Sequence, residues 1–257
     1  MIDDDGRRLD KAVYGRFKIT THRQKVDGLA LAFRCGLHEP YQAKVVSSLV
    51  QGGVVVDVGA NIGCYSLLLS DCVGERGKVV AVEPDPMNFS LLKKNVEDNG
   101  CGNVSCINAA ASDKVELMPL YRHDHNSGDS RLWGEHEPEL LVQPEINVEC
   151  GTLDGVMMGG CPVFVKIDTQ GWEGRVLKGM EVMLKNPKLK GVLLEFWPYG
   201  LISSGSSCEE FFASLDDFRI FLIDDAEQEL VEVTCPQTQI FEPRRDYVRD
   251  LLCIRKG

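Results

Sequence analysis

Hydrophobic positions along the chain alternate between two periods, and the alternation predicts a fold. Val54-Val55-Val56-Asp57-Val58 is a short β-branched run, as in a strand buried on both faces. It passes through Gly59 into Tyr65-Ser66-Leu67-Leu68-Leu69, which reads as helix. Residues 78–82 repeat the strand signal and stop at Glu83-Pro84. A helix follows over 86–98, with Phe89, Leu92 and Val96 on its apolar face and Gly100 ending it. Residues 104–107, 163–167 and 191–196 supply a third, fourth and fifth strand, with a helix over 174–184 between the last two. Upstream, 40–50 reads as an amphipathic helix with Tyr41, Val45, Val46 and Leu49 facing inward. After a helix at 209–215 come three closely spaced strands at 220–223, 229–233 and 251–254. Strands separated by helices predict an α/β, doubly wound, mostly parallel sheet, and the close-set tail predicts an antiparallel edge.

Composition narrows this picture. A chain of 257 residues, 44% hydrophobic and 26% charged, fits one compact α/β domain, assigned to 39–257 with 1–38 as an N-terminal extension. The 28 Lys and Arg against 39 Asp and Glu leave a net charge of -11, which disfavours a nucleic-acid partner. No apolar run approaches the roughly 20 residues of a membrane-crossing helix, so no membrane span is expected. The start, Met1-Ile2-Asp3-Asp4-Asp5, carries acids where a signal peptide carries basic residues, and the ten cysteines are scattered without a C-x-x-C pair. The expectation is a cytoplasmic protein with reduced thiols.

In a parallel sheet, ligands bind beyond the carboxyl ends of the strands, where Asp57, Glu83, Asp113 and Asp168 stand. The turn Asp57-Val58-Gly59-Ala60-Asn61-Ile62-Gly63 places glycine where backbone turns tightly or approaches a ligand. It lacks G-x-G-x-x-G spacing, and an acid at the strand end repels a diphosphate. A cationic ligand such as S-adenosylmethionine fits better, its carboxylate set against the turn amides and the following helix N-terminus. Glu83, 20 residues beyond Gly63, is placed to accept hydrogen bonds from both ribose hydroxyls. Asp113 is placed either to meet the adenine amino group or simply to form a turn. Asp168 suits positioning or deprotonating the acceptor, or capping the helix that begins near Trp172. Glu195, beside Phe196-Trp197-Pro198, either lines the acceptor pocket or is a satisfied strand-end acid.

Together and in order, several pieces resemble the FkbM-type methyltransferases. They are 56–63, Val82-Glu83-Pro84 with Asn88 downstream, Ala111-Ser112-Asp113, Thr152-Leu153-Asp154, 166–173 and Leu251-Leu252-Cys253. The resemblance runs from about residue 39 to the end. It implies a Rossmann-like class I fold with a seven-stranded sheet, S-adenosylmethionine as cofactor, and a small-molecule or sugar hydroxyl as acceptor. The cofactor set it implies is Asp57, Gly59, Ala60, Asn61, Gly63, Glu83, Asn88, Ser112 and Asp113, with Asp168 catalytic. The family's Asn-x-Gly turn matches Asn126-Ser127-Gly128, which with Glu195 forms the expected substrate side. One departure is Thr169-Gln170-Gly171, where the family more often has Val-Glu-Gly. His123 and His125 alternate on an extended stretch, but no third ligand has a fixed spacing, so no metal is expected. Two other functions compete: a nicotinamide-dependent oxidoreductase, opposed by the missing glycine spacing, and a non-catalytic adenosylmethionine-binding module, opposed by the Asp57, Glu83 and Asp168 set.

Overall fold

The structure, a computed structural model, describes residues 9–14, 16–22, 40–123, 126–134, 146–242 and 244–257. It opens with an antiparallel hairpin, β1 (Leu9–Tyr14) and β2 (Phe17–His22). The predicted alternation follows: α1 (Pro40–Leu49), β3 (Val54–Val58), α2 (Cys64–Val73), β4 (Lys78–Val82), α3 (Pro86–Asp98) and β5 (Val104–Ile107). Next come β6 (Ala110–Ala111), β7 (Glu116–Leu120), β8 (Ile146–Gly151) and α4 (Leu153–Val156). The chain continues through β9 (Phe164–Ile167), α5 (Glu173–Lys178), α6 (Glu181–Lys185), β10 (Gly191–Phe196), α7 (Pro198–Ser203) and α8 (Cys208–Ala213). It ends with β11 (Phe218–Asp224), β12 (Glu229–Val233), α9 (Pro236–Gln239) and β13 (Arg249–Arg255).

The main sheet has eight strands in the order β12-β11-β13-β10-β9-β3-β4-β5. From β10 to β5 every pairing is parallel, and β13, β11 and β12 add antiparallel strands. The doubly wound sheet and antiparallel edge are as the sequence predicts, with one strand more than the implied seven. The eighth is β12, a largely exposed strand that pairs only with β11 and terminates the sheet. On β3, Val55, Val56, Asp57 and Val58 are all buried, because helices cover both faces.

Two departures from the predicted elements bear on the site. The single helix expected over 174–184 is two short helices, α5 and α6. At Gly179 between them, a Cβ would lie 1.9 Å from the Ser112 carbonyl oxygen, so the chain turns where it presses on that backbone. Between β5 and β9 lies a separate three-stranded sheet in the order β6-β8-β7, for which the sequence pattern predicts no strand. Pro119 sits on β7, at the edge of that small sheet, where a missing N–H is tolerated. The hairpin lies in the assigned extension, yet Phe17 and Ile19 of β2 pack with Ala60, Ile62, Leu91 and Leu92.

Candidate functional site

A cleft of about 330 Å³ opens beyond the carboxyl ends of β3, β4, β9 and β10, where an open α/β sheet places its ligands. Its walls divide into two ends. At the first, Glu83 leaves β4 only 5% exposed. One of its carboxylate oxygens accepts from the Asn61 N–H at 2.8 Å and the other from the Asp85 N–H at 2.9 Å. Burial, reinforced by the negative charge of Asp85, pushes the Glu83 carboxyl up to about 8. Asp85 is fixed in turn: it caps α3 by accepting from the Met87 N–H and is clasped by Arg122 through two 2.8 Å hydrogen bonds.

The glycine turn bends through left-handed conformations at Gly59 (φ 73), Asn61 (φ 51) and Gly63 (φ 97). Its amides are committed within the protein. Those of Gly59 and Ala60 donate to Val82, that of Asn61 to Glu83, that of Ile62 to the Asn61 side chain, and that of Gly63 to Ala60. The expectation that these amides hold a ligand carboxylate is therefore corrected. Gly59, Ala60 and Asn61 line the cleft and give it shape rather than donors, and Gly63 caps α2 against Leu92 instead of lining it.

At the second end, Asp168 follows β9. Its carboxylate accepts from Lys166 Nζ at 3.1 Å and from Gln170 Nε2 at 2.9 Å. The same Gln170 nitrogen lies 3.2 Å from Glu195 Oε2, so one amide bridges two carboxylates. Lys166 is buried, with Nζ 4.7 Å from the centre of the Tyr65 ring. Gln170 is held left-handed (φ 54), its carbonyl accepting from Trp133 Nε1 at 2.8 Å. Beneath this loop, buried Glu173 accepts from the N–H groups of Thr169 and Gly171 and from the Thr169 hydroxyl; burial pushes its carboxyl up to about 7. The helix-capping alternative for Asp168 fails here, because Trp172 occupies the cap of α5 with no side-chain cap bond and Glu173 gathers the loop amides.

The two ends meet at Gly59, where a Cβ would lie 1.8 Å from the Asp168 carbonyl oxygen. The structure thus brings together Gly59, Ala60, Asn61, Glu83, Asn88, Asn126, Gly128, Asp168 and Glu195 around one cleft. Besides Gly63, three expected cofactor residues lie elsewhere. Asp57 is fully buried beneath the cleft, accepting from the Ser66 hydroxyl at 2.6 Å; burial raises its carboxyl and Lys166 opposes the shift. Its other carboxylate oxygen has no hydrogen-bond partner. Ser112 is buried and accepts from Trp172 Nε1. Asp113 turns away to Arg175 at 3.0 Å; partial burial pushes its carboxyl up, but the Arg175 hydrogen bond and charge outweigh this and hold it below the usual carboxylate range.

The Asn126-Ser127-Gly128 turn, expected on the substrate side, is tied to the Glu83 end. The Ser127 carbonyl accepts from Asn61 Nδ2 at 3.0 Å and from Asn88 Nδ2 at 3.1 Å. His123 lies 3.9 Å from Asp129, and His125 lies outside the described residues. Asp154 accepts from the Val182 and Met183 N–H groups, which makes it a structural anchor of α6. Lys166, Gln170, Glu173 and Arg122 were not singled out as site residues in the sequence. For Gln170 a signal existed in its departure from the family pattern; for Arg122 only the fold reveals the partner.

Comparison with known proteins gives the family. A family model described as the methyltransferase FkbM domain matches residues 57–219, well over half of the chain. The methyltransferase sdnD of Sordaria araneosa is 24% identical over 165 residues, covering 53% of this chain and 63% of that protein. A Pyrobaculum aerophilum protein, named as a probable cobalt-precorrin-6B C(15)-methyltransferase (decarboxylating), is 37% identical over 71 residues, covering 28% of this chain and 35% of that one. The chain thus spans less than two thirds of the length of these curated relatives. A solved FkbM methyltransferase from Methylobacillus flagellatus KT aligns with 17% identity and a TM-score of 0.49, covering 88% of this chain and 52% of that one. The chain belongs to the FkbM family of S-adenosylmethionine-dependent methyltransferases.

Proposed function

We propose that this chain transfers the methyl group of S-adenosylmethionine to a hydroxyl oxygen of a small molecule or sugar. The residues present fit the cofactor. Glu83 presents a carboxylate to the cleft with one backbone donor on each oxygen, leaving a lone pair on each for a vicinal ribose diol. When bound, the sulfonium supplies an electrophilic methyl carbon. Asp168 and Glu195, rather than Asp57, are the carboxylates that face the cleft to complement its positive charge. Asn61 and Asn88 act by holding the Ser127 turn against the cleft, and Gly128 and Asn126 form that turn.

The observation that carries the reading is the Lys166–Asp168–Gln170–Glu195 cluster at the far end of the same cleft. Lys166 and Gln170 fix the Asp168 carboxylate, which suits it to receive a hydrogen bond from a substrate hydroxyl and hold the oxygen in line. With the bound sulfonium supplying the methyl group, Asp168 would take up the hydroxyl proton as the acceptor oxygen is methylated. A net charge of -11 favours a neutral small acceptor over nucleic acid. The nine described cysteines are all free, which supports a cytoplasmic setting.

The test uses S-adenosylmethionine labelled with ¹³C in the methyl group and a panel of methyl glycosides and simple polyols. The expected product is a methyl ether in the ¹³C spectrum, with stoichiometric S-adenosylhomocysteine. Labelled products carrying the methyl only on nitrogen or carbon would refute the oxygen assignment.

A further inference from the structure

We propose that the N-terminal hairpin, which lies outside the matched family region, is a working part of the cofactor site and sets the shape of the glycine turn through Asn95. The proposal rests on the cleft being the adenosylmethionine site. Asn95 stands on α3 and is fully buried. Its side chain makes three hydrogen bonds to two other segments. Oδ1 accepts from the Thr20 N–H at 2.7 Å; Nδ2 donates to the Thr20 carbonyl at 3.0 Å and to the Ile62 carbonyl at 2.8 Å. The amide therefore reads strand β2 as a neighbouring strand would, and with the same nitrogen holds the cofactor turn.

Ile62 directly follows Asn61, whose left-handed backbone donates the N–H that fixes Glu83. A left-handed asparagine in a tight turn is a sparsely populated conformation that persists when its surroundings over-determine it. Here those surroundings include the hairpin. Phe17 and Ile19 of β2 share one buried apolar cluster with Ala60 and Ile62, which stand on either side of Asn61 in sequence. The path from hairpin to ribose site is thus short: Thr20 to Asn95, Asn95 to Ile62, Asn61 to Glu83. A second asparagine gives an internal control. One helical turn on, at the C-cap of α3, Asn99 makes the same paired hydrogen bonds with Lys18, but it is only half-buried and its bonds run to Lys18 and Asn95, not to the turn.

Asn95 is thereby a positioning residue, and its test separates positioning from simple stability. Hydrogen exchange over residues 59–64 is compared in unliganded wild type, Asn95→Ala and Asn99→Ala, together with calorimetric binding of S-adenosylhomocysteine at a temperature where each is folded by circular dichroism. The proposal expects Asn95→Ala to accelerate exchange in the turn and weaken binding, each by about tenfold or more, the scale of one to two lost buried hydrogen bonds. Asn99→Ala is expected to lower Tm while leaving both readouts within about twofold, since the turn keeps its partner. Should Asn95→Ala fail to fold, Phe17→Ala loosens the hairpin without orphaning a polar group and is expected to change both readouts in the same direction. Turn exchange that matches wild type in the folded Asn95 variant, or in Phe17→Ala where that one is used, overturns the proposal. If wild type itself does not bind S-adenosylhomocysteine, the cofactor reading fails, while exchange still judges the hairpin.

Discussion

The two ends of the cleft are built from different materials. At the cofactor end, the carboxylate of Glu83 is gripped by backbone N–H groups of Asn61 and Asp85, so its position is as rigid as the turn and helix cap that carry them. At the acceptor end, Asp168 is gripped by side chains, Lys166 and Gln170, and shares the latter with Glu195. The difference teaches where change is tolerated. A backbone grip survives substitution of most neighbours, whereas a side-chain grip is rewritten by a single mutation.

The largest expected effect falls on the acceptor end. Asp168→Asn keeps the shape but removes the proton acceptor, and turnover should fall by roughly 10²–10⁴-fold. Cofactor affinity measured by calorimetry should fall far less, within about tenfold, because Glu195 still faces the cofactor's positive charge. A variant that loses affinity and turnover together would erase the distinction between the ends. Next is Glu83→Ala, which removes acceptors for two ribose hydroxyls and should weaken cofactor binding by about 1–3 kcal/mol. Its turnover at saturating cofactor should be little changed.

A pH series sharpens the contrast. Ribose hydroxyls donate to the charged form of Glu83, whose carboxyl is raised to about 8 in the unliganded protein. Cofactor affinity should therefore rise with pH up to about 8 and level off above it, approaching tenfold per unit at the low end. Glu83→Gln should bind more weakly and show no such slope. The smallest effect concerns Glu173. Its carboxyl lies at about 7 in the fold against an ordinary 4.5, so the native state holds a proton that the unfolded chain releases. Stability should fall as pH rises from about 4.5 to 7, and Glu173→Gln should flatten that part of the curve in denaturant titrations.

The legibility of this protein in its sequence followed the same division. The parallel strands, the helix over 86–98 and Glu83 were readable, because burial on two faces leaves unbroken β-branched runs and a strand-end acid stands out after them. What escaped reading depended on partners distant along the chain. Asp113 looked like an adenine contact until Arg175, 62 residues on, claimed it. Asp57 looked like a ligand residue, but period-two geometry points it beneath the cleft toward Ser66. The glycine turn stands at the cleft where the spacing of its glycines pointed, but the sequence concealed that its amides are consumed internally. The small sheet β6-β8-β7 was hidden by a proline and by the long interval between its members.

That small sheet has a consequence for how such enzymes diversify. None of its three strands is hydrogen-bonded to the eight-stranded sheet, and the segment between β7 and β8 carries the turn that Asn61 and Asn88 fasten over the cleft. Its attachment is apolar, through Leu120, Val148 and Cys150 in the shared core. A module joined by greasy contacts and six polar partnerships, Arg122 with Asp85, Asn61 and Asn88 with Ser127, Trp133 with Gln170, Ser112 with Trp172 and Asp113 with Arg175, is an exchangeable cassette. Chimaeras that transplant 110–151 between relatives should keep the register of the parallel strands provided those core positions and ties are retained. The turn that closes over the Glu83 end would then travel with the cassette, while Asp168 and Glu195 stay with the host.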